Sequence, residues 1–291
     1  MTSELKVTSA PASQSSLPFC AANRLREGRR KIQIPPPRSF ANFLASNMKL
    51  IFLGTGGFHP NERRHTASVL LPEEGIALDA GTGFFRVQGR LKTPGLDVFL
   101  THGHLDHICG LTFILVPMLR GDISQVRVFG SQRCLDGVRN HLLADALFPV
   151  EPDFEWHELN REVTLRSGAI LRTIALDHPG GCLGFRIDWP DRSMAYITDT
   201  TAPGEYVDFI RGVDLLIHEC YFPDELADWA LKTGHSAATP VAEVARDAGV
   251  GRLLLVHVDP QRIDDDPIGL ASVRRIFPNA EIAEDLMEIE F

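Results

Sequence analysis

No run in this chain of 291 residues is long and apolar enough to span a bilayer. The longest apolar stretch near its start, residues 17–22, is broken by Pro18 and is too short for the core of a secretory signal. Cysteine is sparse: Cys20, Cys109, Cys134, Cys182 and Cys220 form an odd set without CxxC spacing. That excludes a disulfide scaffold and a closed thiolate zinc site, and a reducing, cytoplasmic compartment is expected. Cys220 reads as a small buried hydrophobe. The glycines of Leu53-Gly54-Thr55-Gly56-Gly57 lack both a P-loop lysine and the third glycine of a dinucleotide fingerprint, so they read as a tight turn after a strand.

Basic charge is also scarce. Lys and Arg number 29 against 38 Asp and Glu, a formal charge of −9. Residues 1–47 carry seven Lys/Arg against two Asp/Glu, a net +5 that leaves −14 for residues 48–291. An acidic body is a poor partner for a long polyanion, because phosphate affinity comes largely from Lys and Arg clusters. The basic cluster at 24–31 reads as part of a solvated tail. Residues 1–47 are rich in Ser, Pro and Ala and contain Pro35-Pro36-Pro37, so a disordered N-terminal extension is expected there. Met48, directly before the first expected strand, offers an alternative start. Residues 48–291 read as one catalytic domain.

What the chain does have is Thr101–His107, THGHLDH, which places three histidines and an aspartate directly after the apolar run 97–100. His102 and His104 lie two apart in extended chain, so their imidazoles project to the same side. Asp106 and His107 follow where the chain turns into an apolar helix, and they approach from another direction. Two ions fit this array better than one, and imidazole with carboxylate suits zinc, with manganese or iron as alternatives. Three further donors end apolar strands: His178 after 170–175, Asp199 after 194–197, and His257 after 253–256.

This order of motifs resembles the metallo-β-lactamase superfamily of binuclear metallohydrolases from about Lys49 onward. The resemblance implies a four-layer αββα sandwich, with His102, His104 and His178 on one metal, Asp106, His107 and His257 on the other, and Asp199 bridging. The segments LGTGGFHPNERRHTASVLL, LDAGTG, DLLIHECYF and TGHSAATPVAEVARDAGVGRLLLVHVDP are similar to those of the ribonuclease Z branch. They would supply Glu219 and His235, a carboxylate orienting an imidazole beside the reacting phosphate. Ribonuclease Z proteins carry a long tRNA-gripping arm between the third histidine ligand and the bridging aspartate. Here His178 and Asp199 are 21 residues apart, too few for an arm, so the reading moves toward small or cyclic phosphodiesters or a short RNA 3′ end.

Two metals about 3.5–4 Å apart would acidify a water between them and polarise a phosphoryl oxygen. Asp106 could hold or deprotonate that water, and His235 with Glu219 could protonate the leaving oxygen. Two alternatives stay open: the same site as a lactone, ester or thioester hydrolase, and a mononuclear iron oxygenase acting on sulfur compounds. His59 and His65, flanking Arg63 and Arg64 in the first long loop, could line the substrate mouth. His141 and His157 read as surface or packing residues, and His218 as a satisfied core imidazole. The resemblance leaves a homodimer open, and no membrane partner is expected.

The periodicity predicts strands at 50–53, 68–71, 76–78, 97–100, 126–129, 163–165, 170–175, 183–188, 194–197, 214–217, 253–256 and 281–283. It predicts helices at 105–120, 132–147, 203–211, 224–232, 237–248 and 268–276.

Overall fold

Strands that are apolar at nearly every position need cover on both faces, and two stacked sheets between helical layers supply it. The computed structural model describes residues 48–291, so the extension expected over 1–47 lies outside the described residues. The first sheet contains β1 (Lys49–Gly54), β2 (Ser68–Leu71), β3 (Ile76–Leu78), β4 (Gly95–Phe99), β5 (Gln125–Gly130) and β6 (Phe154–Glu158), with β14 (Glu288–Glu290) on the far side of β1. The second holds β7 (Glu162–Thr164), β8 (Ile170–Leu176), β9 (Cys182–Asp188), β10 (Ser193–Ile197), β11 (Leu215–Glu219), β12 (Arg252–Val256) and β13 (Ala280–Ile282), in the order β13-β12-β11-β10-β9-β8-β7.

The two-residue period of each strand sorts its side chains between layers. In β1, Leu50 and Phe52 join the core between the sheets, while Ile51 and Leu53 face the outer layer. In β10 and β12 the same alternation sends Met194, Tyr196, Leu254 and Val256 inward and Ala195, Ile197, Leu253 and Leu255 outward. The outer face of the second sheet is covered by α5 (Ala238–Ala248), which buries Val241, Ala242, Val244, Ala245 and Ala248 and stops at Gly249 in the left-handed region. The remaining helices are α1 (Leu105–Ile108), α2 (Leu115–Arg120), α3 (Gln132–Gly137), α4 (Ala227–Thr233) and α6 (Leu270–Ile276). This is the four-layer sandwich that the sequence implied, and no helix among the described residues is long and apolar enough to cross a membrane.

Several expectations need correction. The helix expected over 105–120 is broken into α1, a 3-10 segment Cys109–Ile114 and α2. Gly110 lies against the 80–81 turn, where an added Cβ would stand 2.3 Å from Gly81 O, and this close approach pulls the helix out of register. The helix expected over 132–147 gives way after α3 to a wide π turn, Val138–Leu142. Residues 203–211 form turns rather than a helix. Tyr206 and Ile210 bury there around one Ile210 N–H to Tyr206 O bond, and no further helical turn follows. The edge strands β6 and β14 were not expected, because FEWHE and EIE alternate with charge and contain no apolar run.

The loop after β1 is fastened to the far end of the chain. Asp285 accepts hydrogen bonds from Thr55 N and Oγ1, His65 N and Arg86 Nη1 at 2.6–3.0 Å. Buried Arg64 donates to Thr55 Oγ1, to Ala283 O and to Glu284. So held, the loop packs against the residue after β12: an added Cβ on Gly57 would stand 2.5 Å from the His257 ring, which explains the glycine cluster. Changing Asp285 to Ala strands the nearly buried Arg86 and several N–H donors. It should cost about 3–5 kcal/mol in denaturant unfolding, and a loss below about 1 kcal/mol would show that the fastening is dispensable.

Candidate metal centre

Because β10, β11 and β12 run parallel, their carboxyl ends lie on one edge, and the ends of β4 and β8 meet them there. The sequence-predicted donors converge at that edge. His178 follows β8, Asp199 follows β10 and His257 follows β12 directly. Asp199 (φ 33°) and His257 (φ 57°) sit in the left-handed region, where sterically unfavourable backbone turns a side chain back over the strand end. Both residues are almost fully buried, and the packing around them keeps them there.

The two oxygens of Asp199 face different partners. Oδ2 lies 3.5 Å from His102 Nε2 and 3.7 Å from His178 Nε2. Oδ1 lies 3.2 Å from His107 Nε2 and 3.3 Å from His257 Nε2. His104 Nδ1 is 3.4 Å from His178 Nε2, and Asp106 Oδ2 is 3.3 Å from His257 Nε2 and 3.4 Å from His107 Nε2. Two donor sets therefore form, His102, His104, His178 and Asp199, and Asp106, His107 and His257, each with donor atoms within 4.8 Å of one another.

The chemistry of these donors fits a divalent cation. His107 donates Nδ1–H to Asp79 Oδ2 at 2.8 Å, and His178 donates Nδ1–H to Gly234 O at 2.9 Å, so the neutral form of each ring presents an Nε2 lone pair to the cluster. His102 Nε2 is buried there without a hydrogen-bond partner. Burial and the neighbouring His107 hold the pKa of His102 well below the usual imidazole range, which keeps its lone pair free. Burial would raise the Asp199 carboxyl and lower His107. Instead the imidazoles of His257 and His107 hold Asp199 well below the carboxylate range, while Asp199, Asp106 and Asp79 hold His107 well above its own. A cation can replace that proton.

Behind the cluster lie one carboxylate that sequence reasoning did not assign, Asp79, and the expected pair Glu219 and His235. Asp79, fully buried with φ 58°, accepts from Thr101 N and Oγ1, His107 Nδ1 and Tyr196 Oη. The acidic residue in LDAGTG was the available signal, but its partner lies in another motif. Glu219, also fully buried, accepts from Thr200 N, His235 Nδ1 and Ser236 N at 2.8–3.2 Å. Burial alone would lower the pKa of His235, yet the Glu219 carboxylate outweighs it and raises the value to about 9. His235 stacks on Tyr221 and His257. Its atoms also lie within 4.8 Å of donor atoms of Asp199 and His257, a third grouping that shares both residues with the other two sets, and its Nδ1 is engaged by Glu219.

The expected mouth residues lie elsewhere. His59 turns its ring to Pro60 O and His65 turns its ring to Thr82 Oγ1. The residue of that loop which lines the cavity is Phe58, 72% exposed, whose N–H donates to Asp106 Oδ2 at 2.8 Å. The cavity over the cluster measures about 560 Å³ and is also lined by Leu105, Pro179, Thr233 and His235. His218 is a core imidazole, donating Nδ1–H to Glu219 O and accepting from Tyr206 Oη. Cys220 is buried beneath α5.

A Beta-lactamase superfamily domain matches residues 75–258. Ribonuclease Z of Methanosarcina acetivorans is 27% identical, aligning with 84% of this chain and 98% of its own length. Its 303 aligned positions exceed the 291 residues here, so the relative carries segments with no counterpart in this chain. Among solved structures, the metallo-beta-lactamase fold protein YhfI of Bacillus subtilis superimposes with a TM-score of 0.72 at 19% identity, covering 84% of this chain and all of its own. The short form of human tRNase Z gives 0.66 at 23%, covering 83% and 98%.

Asp79 fixes the tautomer of His107, so Asp79→Asn should weaken metal retention by about 10–100-fold while leaving the fold intact. Metal content after dialysis against graded chelator reads this directly, and an unchanged profile would reduce Asp79 to a packing residue.

Proposed function

The chain belongs to the beta-lactamase superfamily, and from that premise we propose that it is a binuclear metal-dependent phosphodiesterase acting on a small or cyclic phosphodiester, or at most a short RNA 3′ end. The observation that carries the reading is the pair Glu219 and His235, set beside a cluster in which the oxygens of Asp199 divide between two donor sets. In this reading His102, His104 and His178 would hold one ion and Asp106, His107 and His257 the other, with Asp199 shared between them. Zinc is the metal proposed, with manganese or iron as alternatives.

When bound, two such ions supply an acidified water and a Lewis-acid hold on a phosphoryl oxygen. The chain's own residues do the rest. Asp106, oriented by the Phe58 N–H, keeps its ionised form because His107 and His257 outweigh the effect of burial, so it can accept a hydrogen bond from the attacking water and orient it. His235, held by Glu219 and facing the cavity, donates a proton to the leaving oxygen. Phe58 and Leu105 give the mouth an apolar rim for the rest of the substrate.

The backbone supports the small-substrate reading. Between His178 and Asp199 the chain forms only the tight Pro179–Gly181 turn and the antiparallel β9–β10 pair. With no arm in that interval, and an acidic body around the site, a small diester is favoured over whole tRNA.

The test is turnover by metal-loaded protein of a chromogenic phosphodiester, a cyclic nucleotide, precursor tRNA and a lactone. Hydrolysis of the first two is expected. Turnover of the lactone alone, or oxygen consumption with a single iron, would overturn the reading. His235→Ala should lower turnover of an unactivated diester by about 10²–10⁴, with much less effect on a nitrophenyl ester and no change in metal content; loss of metal would make His235 structural instead. The pH profile gives an independent check. The protonated form of His235 persists below about 9 and disappears above it, so the rate on unactivated diesters should fall as pH rises through about 9. That limb should be missing in His235→Ala.

A further inference from the structure

The cavity over the cluster does not end at the histidines. A narrower recess of about 180 Å³ continues past His102 and His104 beneath the start of α3, bounded by Ser131 and Arg133 on one side and the Gly180–Gly181 turn on the other. Arg133 is the one Lys or Arg lining either space, and it makes no ion pair or hydrogen bond among the described residues. It lines the recess together with His102 and His104 of the donor cluster. A methyl group built on Gly180 would touch His104 Nε2 at 3.9 Å and Arg133 Nη2 at 4.0 Å, so the two flank the same point.

The recess and the main cavity differ in sign. Asp106 and Asp199 line the main cavity, whereas no carboxylate lines the recess. In residues 48–291, where acidic groups outnumber basic ones by fourteen, an arginine left without a carboxylate partner beside the reacting centre has its forked donors free for an incoming anion. The turn opposite keeps the space open. Gly180 (φ 91°) and Gly181 (φ 83°) are both in the left-handed region and carry no side chain to fill it.

We propose that this recess is a subsite for a second phosphoryl group, so that the preferred substrates carry one phosphate over the metal cluster and another within reach of Arg133. The proposal rests on the reading of the cluster as a phosphodiester centre, and it narrows the substrate to diesters that carry a second phosphoryl group, such as esters of nucleoside diphosphates, cyclic phosphates bearing a further phosphate or a dinucleotide with a terminal phosphate. Arg133 is a specificity residue here. It recognises the group that is not cleaved.

Binding to the metal-loaded full chain at low salt tests this, using pairs that differ by one phosphate: AMP against ADP for adjacent groups, and thymidine 5′-monophosphate against thymidine 3′,5′-bisphosphate for groups separated by a sugar. In at least one pair the wild type should bind the doubly phosphorylated member roughly tenfold or more tightly, as expected for a charge-assisted contact. The ratio should collapse in Arg133→Ala and recover in part in Arg133→Lys. Ratios are taken within each protein, so a general loss of affinity cancels, and metal content confirms that each variant is folded. Equal binding within both pairs by the wild type, or a preference that survives in Arg133→Ala, would overturn the subsite. Failure of the phosphodiesterase reading shows separately, as absent turnover of every diester by protein that still displays the Arg133-dependent ratio.

Discussion

Five imidazoles and two carboxylates, many of whose donor atoms stand 3.2–3.7 Å apart at the ends of buried strands, repel one another unless positive charge lies between them. This is the constraint on which the rest of the structure depends. Two of these rings are tied from behind, His107 by Asp79 and His178 by the Gly234 carbonyl, and the neighbouring His235 is tied by Glu219. These outer contacts aim the lone pairs inward and leave the inner faces to a cation. A protonated His107 satisfies part of that demand, and two divalent ions would satisfy it fully.

The sandwich serves this convergence. Parallel pairing of β10, β11 and β12 brings Asp199, Glu219 and His257 to one edge, and the face-to-face packing of the sheets brings the β4 motif opposite them. Most side chains inside are hydrocarbon, so the polar groups that cross the inter-sheet core are few and paired. Tyr196, from the second sheet, reaches Asp79, from the first, and ties the two halves together just behind the cluster. Strain is concentrated at the same edge, where Phe58, Asp79, Asp199 and His257 all have positive φ. Such backbone persists when surrounding bonds over-determine it, as the Asp285 and Arg64 contacts do for the loop that touches His257.

Much of this could be read in the chain itself, for physical reasons. HxHxDH at a strand end and single donors after runs such as Leu253-Leu254-Leu255-Val256 are local signals, because a strand buried on both faces is apolar throughout and its end is where polar groups return. Elements whose character depends on distant partners were hidden. The edge strands β6 and β14 look polar because half of each faces solvent. The break in the helix at 105–120 arises from the approach of Gly110 to the 80–81 turn. Asp79 matters through His107, 28 positions away. His59 and His65 were placed at the mouth by their polarity, but a turned backbone presents the apolar Phe58 there instead. Arg133 gave no signal in sequence, because an exposed arginine gains meaning only from the recess it faces.

The central claim is that these donors hold two cations, with Asp199 between them. Anomalous diffraction from crystals of the native protein at the absorption edge of the metal it contains tests this most directly. The account predicts two peaks per chain, one bounded by His102, His104 and His178 and the other by Asp106, His107 and His257. A single peak confined to one set, or none at the cluster, would contradict it.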